Sequence, residues 1–245
     1  LNSIRMYRKE HHSEYGEVVL TWDSKHSWRR DYYPEYKASR RKGREESNLN
    51  WDDIFETLNK IRNEIKENFP YKYLEVFGAE ADDIIGFLCE ENRDEKIMII
   101  SGDKDFIQLQ KYSNVTQWSP ITKKQVNGFD PTIYLKEHIL KGDTSDGVPN
   151  VLSPDNTFVD GLRQRPLSRK KIQSWLVGGG SDWNDEVKRN FQRNLTLIDL
   201  TQIPEELKNQ IRLEYNNASH GDRSRLLNYF IQKRLKNLTE SIGEF

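Results

Sequence analysis

Eight carboxylates at short spacings are the residues of this chain best equipped for chemistry. They are Asp23; Glu80, Asp82 and Asp83 in Glu-Ala-Asp-Asp; Asp103 and Asp105 in Ser-Gly-Asp-Lys-Asp-Phe; and Asp143 and Asp146 in Lys-Gly-Asp-Thr-Ser-Asp-Gly. Like charges crowded into one dry cleft repel each other unless cations neutralise them. Magnesium demands hard oxygen ligands and keeps several waters, so its sites are carboxylate clusters rather than His or Cys sets. The five histidines, His11, His12, His26, His138 and His220, are scattered without zinc-like spacing, so zinc is not expected. The economical reading is hydrolysis of phosphodiesters at two magnesium ions.

Each acidic group has a plainer alternative. Glu-Ala-Asp-Asp suits the start of a helix, where negative charge is favoured, Asp103 and Asp105 suit a turn, and Asp143 with Asp146 suits a capping pair. Asp103 and Asp105 flank a single residue, so both carboxyls can enter one crevice and serve different ions. Glu80 and Asp83 share a helical face, and spacing leaves open which of Glu80, Asp82 and Asp83 ligate.

A second group of residues has the opposite charge. Between Trp28 and Arg44 lie Arg29, Arg30, Lys37, Arg40, Arg41, Lys42 and Arg44 against Asp31 and Glu35, interleaved with Tyr32, Tyr33 and Tyr36. Cations along a backbone with rings for stacking are what single-stranded nucleic acid requires, and nucleic acid would supply the phosphodiester.

These groups need a scaffold. Glu17–Asp23 reads as a buried strand, as do Tyr71–Phe77 and Lys96–Ser101, with a helix over Ala81–Glu91 between the last two. Strand, helix, strand at this spacing predicts a doubly wound, mostly parallel sheet whose ligand crevice lies at the carboxyl ends of its strands. Asp23, the Glu80 cluster and Asp103/Asp105 then share one edge, and that joint placement outweighs the plainer alternatives. Residues 28–48 read as a surface arch, followed by a helix capped at Asn50 or Asp52 with Trp51, Ile54, Phe55, Leu58, Ile61 and Ile65 on one apolar face. A strand pair is expected at Val115–Trp118 and Lys123–Val126. Beyond it come a helix over Pro131–Leu140, a further helical start after Gly142, a long loop over Val151–Ser168, and helices broken at Gly178–Gly180, Pro204 and Gly221. The organisation expected is an α/β domain over 1–130 and a helical domain over 131–245.

The chain has 245 residues, a net charge of -1 and 31% charged residues. It contains no apolar run near the ~20 residues needed to cross a bilayer and no secretion signal. The one cysteine, Cys89, sits in an apolar helical pattern and fits a reduced, cytoplasmic compartment as a buried small hydrophobe. The chain opens at Leu1 within a helix-like stretch, which reads as a cut N-terminus.

Trp28-Arg29-Arg30, Tyr36-Lys37, Glu80-Ala81-Asp82-Asp83, Ser101 to Phe106, Gln117-Trp118-Ser119-Pro120 and Leu140 to Asp146 resemble the flap endonuclease/5′-nuclease superfamily, in its T-even bacteriophage branch. Asn237 to Phe245 is similar to the end of that branch too, so the resemblance covers nearly the whole chain. It implies a PIN-like 5′-nuclease fold with a helical C-terminal lobe containing a helix-three-turn-helix. The activity implied is that of a 5′ to 3′ exonuclease and flap endonuclease removing RNA primers and adjoining DNA during lagging-strand replication.

By matching motif, Asp23, Glu80, Asp82, Asp103, Asp105 and Asp146 are implied as metal-site carboxylates, supported by Asp83 and Asp143. Lys37 and Arg40 are implied to meet the scissile phosphate. Arg29, Arg30, Tyr36, Arg41, Lys42 and Arg44 are implied to contact nucleic acid from the arch, and Lys141, Gly147 and Val148 from the helix-three-turn-helix. Two Mg2+ ions, with Mn2+ as substitute, are the implied cofactors. The implied partners are DNA and RNA–DNA hybrids with 5′ ends or flaps, a phage single-stranded DNA-binding protein and a sliding clamp, met by a cytoplasmic monomer. The family's first strand ends in a metal-binding aspartate; this chain reads as beginning after that strand, which predicts an unpaired sheet edge beside Glu17–Asp23. Asn150 to Pro154 replaces a glycine-rich turn of other relatives, which argues against a potassium site there. The competing reading is a nucleic-acid-binding fragment of that fold without catalysis.

Overall fold

The β-branched and aromatic runs form short parallel pairs. In the computed structural model, which describes residues 1–218 and 221–245 except for the side chain of Lys42, β1 (Val19–Thr21) pairs in parallel with β2 (Lys72–Leu74). The register sets Leu20 opposite Tyr73. Farther along, β3 (Ile97–Ile100) pairs in parallel with β4 (Val115–Ser119), which turns back antiparallel into β5 (Lys124–Gln125).

Among the described residues β1 and β3 share no ladder, so the strands form two small sheets. An open cavity of about 870 Å³ lies between them, lined by apolar side chains including Val19, Leu88, Ile97 and Ile99. The unpaired edge predicted beside Glu17–Asp23 faces this space.

Helices complete the crossovers. α1 (Asn2–Tyr15) precedes β1; α2 (Trp28–Tyr32) and α3 (Ser39–Glu45) occupy the arch segment; α4 (Trp51–Asn68) leads into β2, and α5 (Ala81–Glu91) links β2 to β3. The side chain of Asn50 caps α4 by accepting from the Asp53 N–H. The apolar face expected of α4 is only partly covered, since Phe55, Leu58 and Ile61 each remain 43% exposed. α5 buries Ile84 and Phe87 against Leu74 and against Leu207 and Ile211 of α9 (Glu205–Asn217). That packing fixes where α5 begins, and so where its acidic first turn points.

The C-terminal lobe is helical. α6 (Pro131–Lys141) is capped by Asp130, whose carboxylate accepts from the Thr132 and Ile133 N–H groups, with Pro131 in the first turn where no N–H is required. α7 (Arg169–Gly178), α8 (Asp185–Ile198), α10 (Ser224–Gln232) and α11 (Lys236–Thr239) complete the lobe. Tyr33 and Tyr36 of the arch segment pack with Ile139, Val148, Leu197 and Ile198 in one core, tying the arch base to the lobe.

The segment after α6 is not a helical start. Asp143 and Val148 exchange backbone hydrogen bonds at 2.8 and 2.7 Å, closing a tight turn. The next α-helix is α7. The physical reason is local: the Asp143 carboxylate accepts from the Ser145 N–H and hydroxyl, both at 2.7 Å, stabilising a turn, and Pro149 and Pro154 carry no N–H to continue a helix.

Candidate metal centre and nucleic-acid interface

Because β1 and β2, and likewise β3 and β4, are parallel, the segments leaving the carboxyl ends of β1, β2 and β3 emerge on one side of the molecule. Asp23 follows β1, Glu80–Asp83 opens α5, and Asp103 and Asp105 open a 3-10 helix over Lys104–Lys111. The turn after α6 adds Asp143 and Asp146. Glu80, Asp82, Asp105, Asp143 and Asp146 line one small cleft, and Asp103 lies close enough to Asp82 to act on its charge. Asp23 borders this group: its Oδ1 accepts from the Ala81 N–H at 2.7 Å, at the positive end of α5.

The first turn of α5 sorts its acids. Glu80 is the N-cap, and Asp83, three residues on, turns inward; its Oδ2 accepts from the Glu80 N–H at 2.9 Å, from Arg29 Nη1 at 2.9 Å and from Trp28 Nε1 at 3.2 Å. Arg29 Nη2 lies 2.8 Å from Asp83 Oδ1, and Arg29 Nε donates to the Leu197 carbonyl at 2.8 Å. With Asp83 0% and Arg29 2% exposed, this pair is an internal brace. That corrects two expectations: Asp83 is committed to a guanidinium rather than open to an ion, and Arg29 does not present its charge to a phosphate.

Asp82, the residue between, faces the cleft. Burial first, and then the charges of Asp103, Asp105 and Glu80, push its carboxyl up to about 7. Among the described residues no hydrogen bond or ion pair reaches that carboxylate, so a cation is the partner that would satisfy it. Asp105 is likewise pushed up to about 7, first by burial and then by Asp103, Asp143 and Asp146, against the pull of His138. A donor set of crowded oxygens held in this way fits divalent ions.

Cations of the arch close the other side. Lys37 Nζ donates to Glu80 Oε1 at 2.7 Å and lies 3.7 Å from Asp146 Oδ2, while Arg40 donates to Asp146 Oδ1 at 2.5 Å and to the Ser145 carbonyl at 3.2 Å. Burial works to raise Glu80, but Lys37 and Arg29 outweigh it and hold the carboxyl below its ordinary value. Tyr36, expected to contact nucleic acid, is 3% exposed. Its hydroxyl lies 2.7 Å from Asp146 and 2.9 Å from Glu80. Burial raises Tyr36 far above its usual range, so it remains a neutral donor that orients these carboxylates.

The remaining expected contacts divide. Arg30 and Arg41 are exposed, Arg41 beside Glu45 at 2.9 Å; Arg44 lies over the Phe55 ring at 5.6 Å; and Lys141, exposed, pairs with Glu137 at 2.5 Å. The Lys42 side chain lies outside the described residues. Gly147 and Val148 are buried and differ from the surface role expected of them; Val148, 1% exposed, belongs to the core beneath the turn, and a Cβ on Gly147 would lie 3.1 Å from the Glu35 carbonyl oxygen.

One residue escaped the sequence reading. His138 sits one turn before the Gly142–Asp143 corner, with Nδ1 3.3 Å from Asp105 Oδ1 and Nε2 3.7 Å from Asp143 Oδ2. Burial opposes its charge, but the hydrogen bond to Asp143 and the charges of Asp105 and Asp143 outweigh burial and hold the imidazole above its ordinary value. The signal available was position alone: a histidine in the last turn of a helix that ends at an acidic corner.

A carboxylate-lined cleft at the strand ends, braced from within and closed by arch cations, defines the chain as a nuclease of the α/β kind. The chain belongs to the 5′-3′ exonuclease family: residues 1–138 match its N-terminal resolvase-like domain, and residues 130–245 match the C-terminal domain of T4 RNase H. It is thus an enzyme of the 5′-3′ exonuclease/flap endonuclease class. Among relatives, it is 35% identical over 263 aligned positions to ribonuclease H of Enterobacteria phage T4, spanning 100% of this chain and 85% of that protein. It is 27% identical to a 5′-3′ exonuclease of Buchnera aphidicola subsp. Acyrthosiphon pisum, over 81% of this chain and 72% of that one. In fold it is similar to the phage T5 D15 protein crystallised with metal ions, with a TM-score of 0.62, 17% identity, and 88% and 91% of the two chains covered. A T5 D15 flap endonuclease complex with DNA and metal ions matches with a TM-score of 0.59 at 15% identity, over 88% and 89% of the chains. No helix among the described residues is long and apolar enough to cross a membrane.

Proposed function

We propose that this chain hydrolyses phosphodiesters at 5′ ends and 5′ flaps of DNA and RNA–DNA hybrids, using two magnesium ions, as in primer removal during phage lagging-strand replication. The observation that carries this reading is the convergence of Glu80, Asp82, Asp105, Asp143 and Asp146 on one cleft opposite Lys37 and Arg40. Glu80, Asp82, Asp103, Asp105, Asp143 and Asp146 would hold the ions, with Asp23 at the margin. Bound divalent ions supply Lewis-acid stabilisation of the phosphoryl charge and of the attacking water.

The chain's own residues then have distinct work. Lys37 and Arg40, now resting on Glu80 and Asp146, are positioned to exchange those carboxylates for the scissile phosphate, which brings two cations to charge that develops in the transition state. Tyr36 orients Glu80 and Asp146 from below. Arg30, Arg41 and Arg44 supply field along the backbone of the strand. The α/β portion over 1–130 carries the chemistry, and the helical portion over 131–245 contributes the Asp143–Asp146 turn and a backbone-facing Lys141.

The deciding experiment is Asp105→Asn assayed on a labelled 5′-flap duplex with and without magnesium. Cleavage falls by at least about 1,000-fold while binding of the duplex is kept or tightened, because a ligand is lost but so is a repulsive charge. Full cleavage by the variant in saturating magnesium, or binding without magnesium-dependent cleavage by the unchanged chain, overturns the reading; the second outcome leaves a nucleic-acid-binding module.

A further inference from the structure

His138 carries chemistry that a cluster of oxygens lacks. It stands in the last turn of α6, whose neighbouring Ile139 and Leu140 are both buried, and Tyr134 packs edge-on against its ring at 6.1 Å. Its two ring nitrogens approach carboxylates from two other segments, Asp105 after β3 and Asp143 in the turn. One ligand atom from each of the three residues lies within 4.8 Å of the other two. The donors are therefore gathered by three packed elements, at a spacing one ion can bridge.

Magnesium takes oxygen and gains little from imidazole, whereas imidazole nitrogen suits manganese, cobalt and zinc. We propose that Asp105, His138 and Asp143 form a mixed nitrogen–oxygen site that favours Mn2+, Co2+ or Zn2+ over Mg2+, with His138 as its nitrogen ligand. This rests on the reading that these carboxylates hold divalent ions, and adds which ion one position prefers. The alternative is that the imidazolium only neutralises Asp105 and Asp143, in which case its removal alters the binding of all divalent ions together.

The test titrates the purified full chain with Co2+, following the visible bands, and with Mg2+ by calorimetry, in the unchanged protein, His138→Gln and His138→Asn. Co2+ affinity drops about 10- to 100-fold in both variants and the bands change, while Mg2+ affinity stays the same. Melting curves of the variants identify any loss of fold. Should either variant not fold, NMR of the unchanged protein serves: Co2+ shifts the ring protons of His138 far more than those of His26, which lies beside Asp31. Co2+ and Mg2+ affinities that change together or not at all, or a His138 ring untouched by Co2+, overturn the inference. If the unchanged protein binds neither ion, the metal-dependent nuclease reading itself falls.

Discussion

Lys37 Nζ donates to Glu80 Oε1 at 2.7 Å while the Lys37 N–H donates to the Asp146 carbonyl at 2.7 Å, so one arch residue is tied to two acidic segments. Its backbone has φ 58°, a left-handed conformation that a lysine keeps only where its surroundings compensate. The ammonium is thus held over the carboxylates by main chain and side chain together, which separates it from the outer arch cations.

That separation predicts two kinds of arch variant. Lys37→Ala lowers the single-turnover cleavage rate about 100-fold with little change in flap affinity, as expected for a charge used mainly in the transition state. Arg41→Ala combined with Arg44→Ala leaves the rate of bound substrate intact but weakens binding, and the slope of log affinity against log salt falls by about one for each lost phosphate contact. Rapid-quench rates and binding isotherms over a salt series distinguish them; an effect of Lys37→Ala on affinity alone makes the arch purely electrostatic.

Arg29 and Asp83 predict a stability effect rather than a metal effect. Asp83→Asn leaves a buried guanidinium without its counter-charge, which costs about 3–5 kcal/mol. Urea unfolding reads this loss, and ion binding by the folded fraction is unchanged. Undiminished stability with lost ion binding would instead make Asp83 a ligand.

Gly142 shapes the acidic corner. Its φ is 68°, and a Cβ there would lie 2.3 Å from the Val148 carbonyl oxygen, so Gly142→Ala both strains the backbone and collides with main chain. A loss of about 1–3 kcal/mol follows, read by thermal unfolding. Lys141→Ala next to it, exposed and paired only within its helix, changes stability by less than about 0.5 kcal/mol.

Asp155 predicts acid sensitivity in the helical lobe. Partial burial works to raise its carboxyl, but hydrogen bonds and charge from Arg189, at 2.8 Å, and Arg193 exceed that and leave it below its ordinary value. A depressed carboxyl stabilises the fold above the unfolded value of about 3.9 and loses that contribution as pH falls through the folded value. Asp155→Asn is accordingly less stable at pH 7 by about 1 kcal/mol, since the Asp155 side chain is one-third and that of Arg189 more than half open to solvent. The gap closes as pH drops below about 4, measured by denaturant titration at successive pH values. A gap that does not depend on pH would show that packing rather than charge holds this residue.

Periodicity and turn chemistry made much of the scaffold legible. The apolar spacing of Ile84, Phe87 and Leu88 placed α5, the run at residues 96–101 placed β3, and Asn50 and Pro131 marked helix starts that the structure keeps. The acids after each strand could be assigned to one edge because parallel strands present their carboxyl ends together. Sequence also showed a basic, tyrosine-rich segment, but not that Tyr36 and Arg29 within it turn inward.

What sequence alone determined was therefore the acidic motifs, their order along the chain and the elements that deliver them. Only tertiary structure decided which of the adjacent Asp82 and Asp83 faces the cleft, because that depends on Arg29 arriving from 54 residues away to claim Asp83. It alone also brought His138 to Asp105, 33 residues earlier in the chain, since their contact follows from how α6 packs against the segment after β3. Local spacing governs what a side chain can do, but partners far apart in sequence determine its orientation, and a carboxylate follows whichever cation the packing brings within reach.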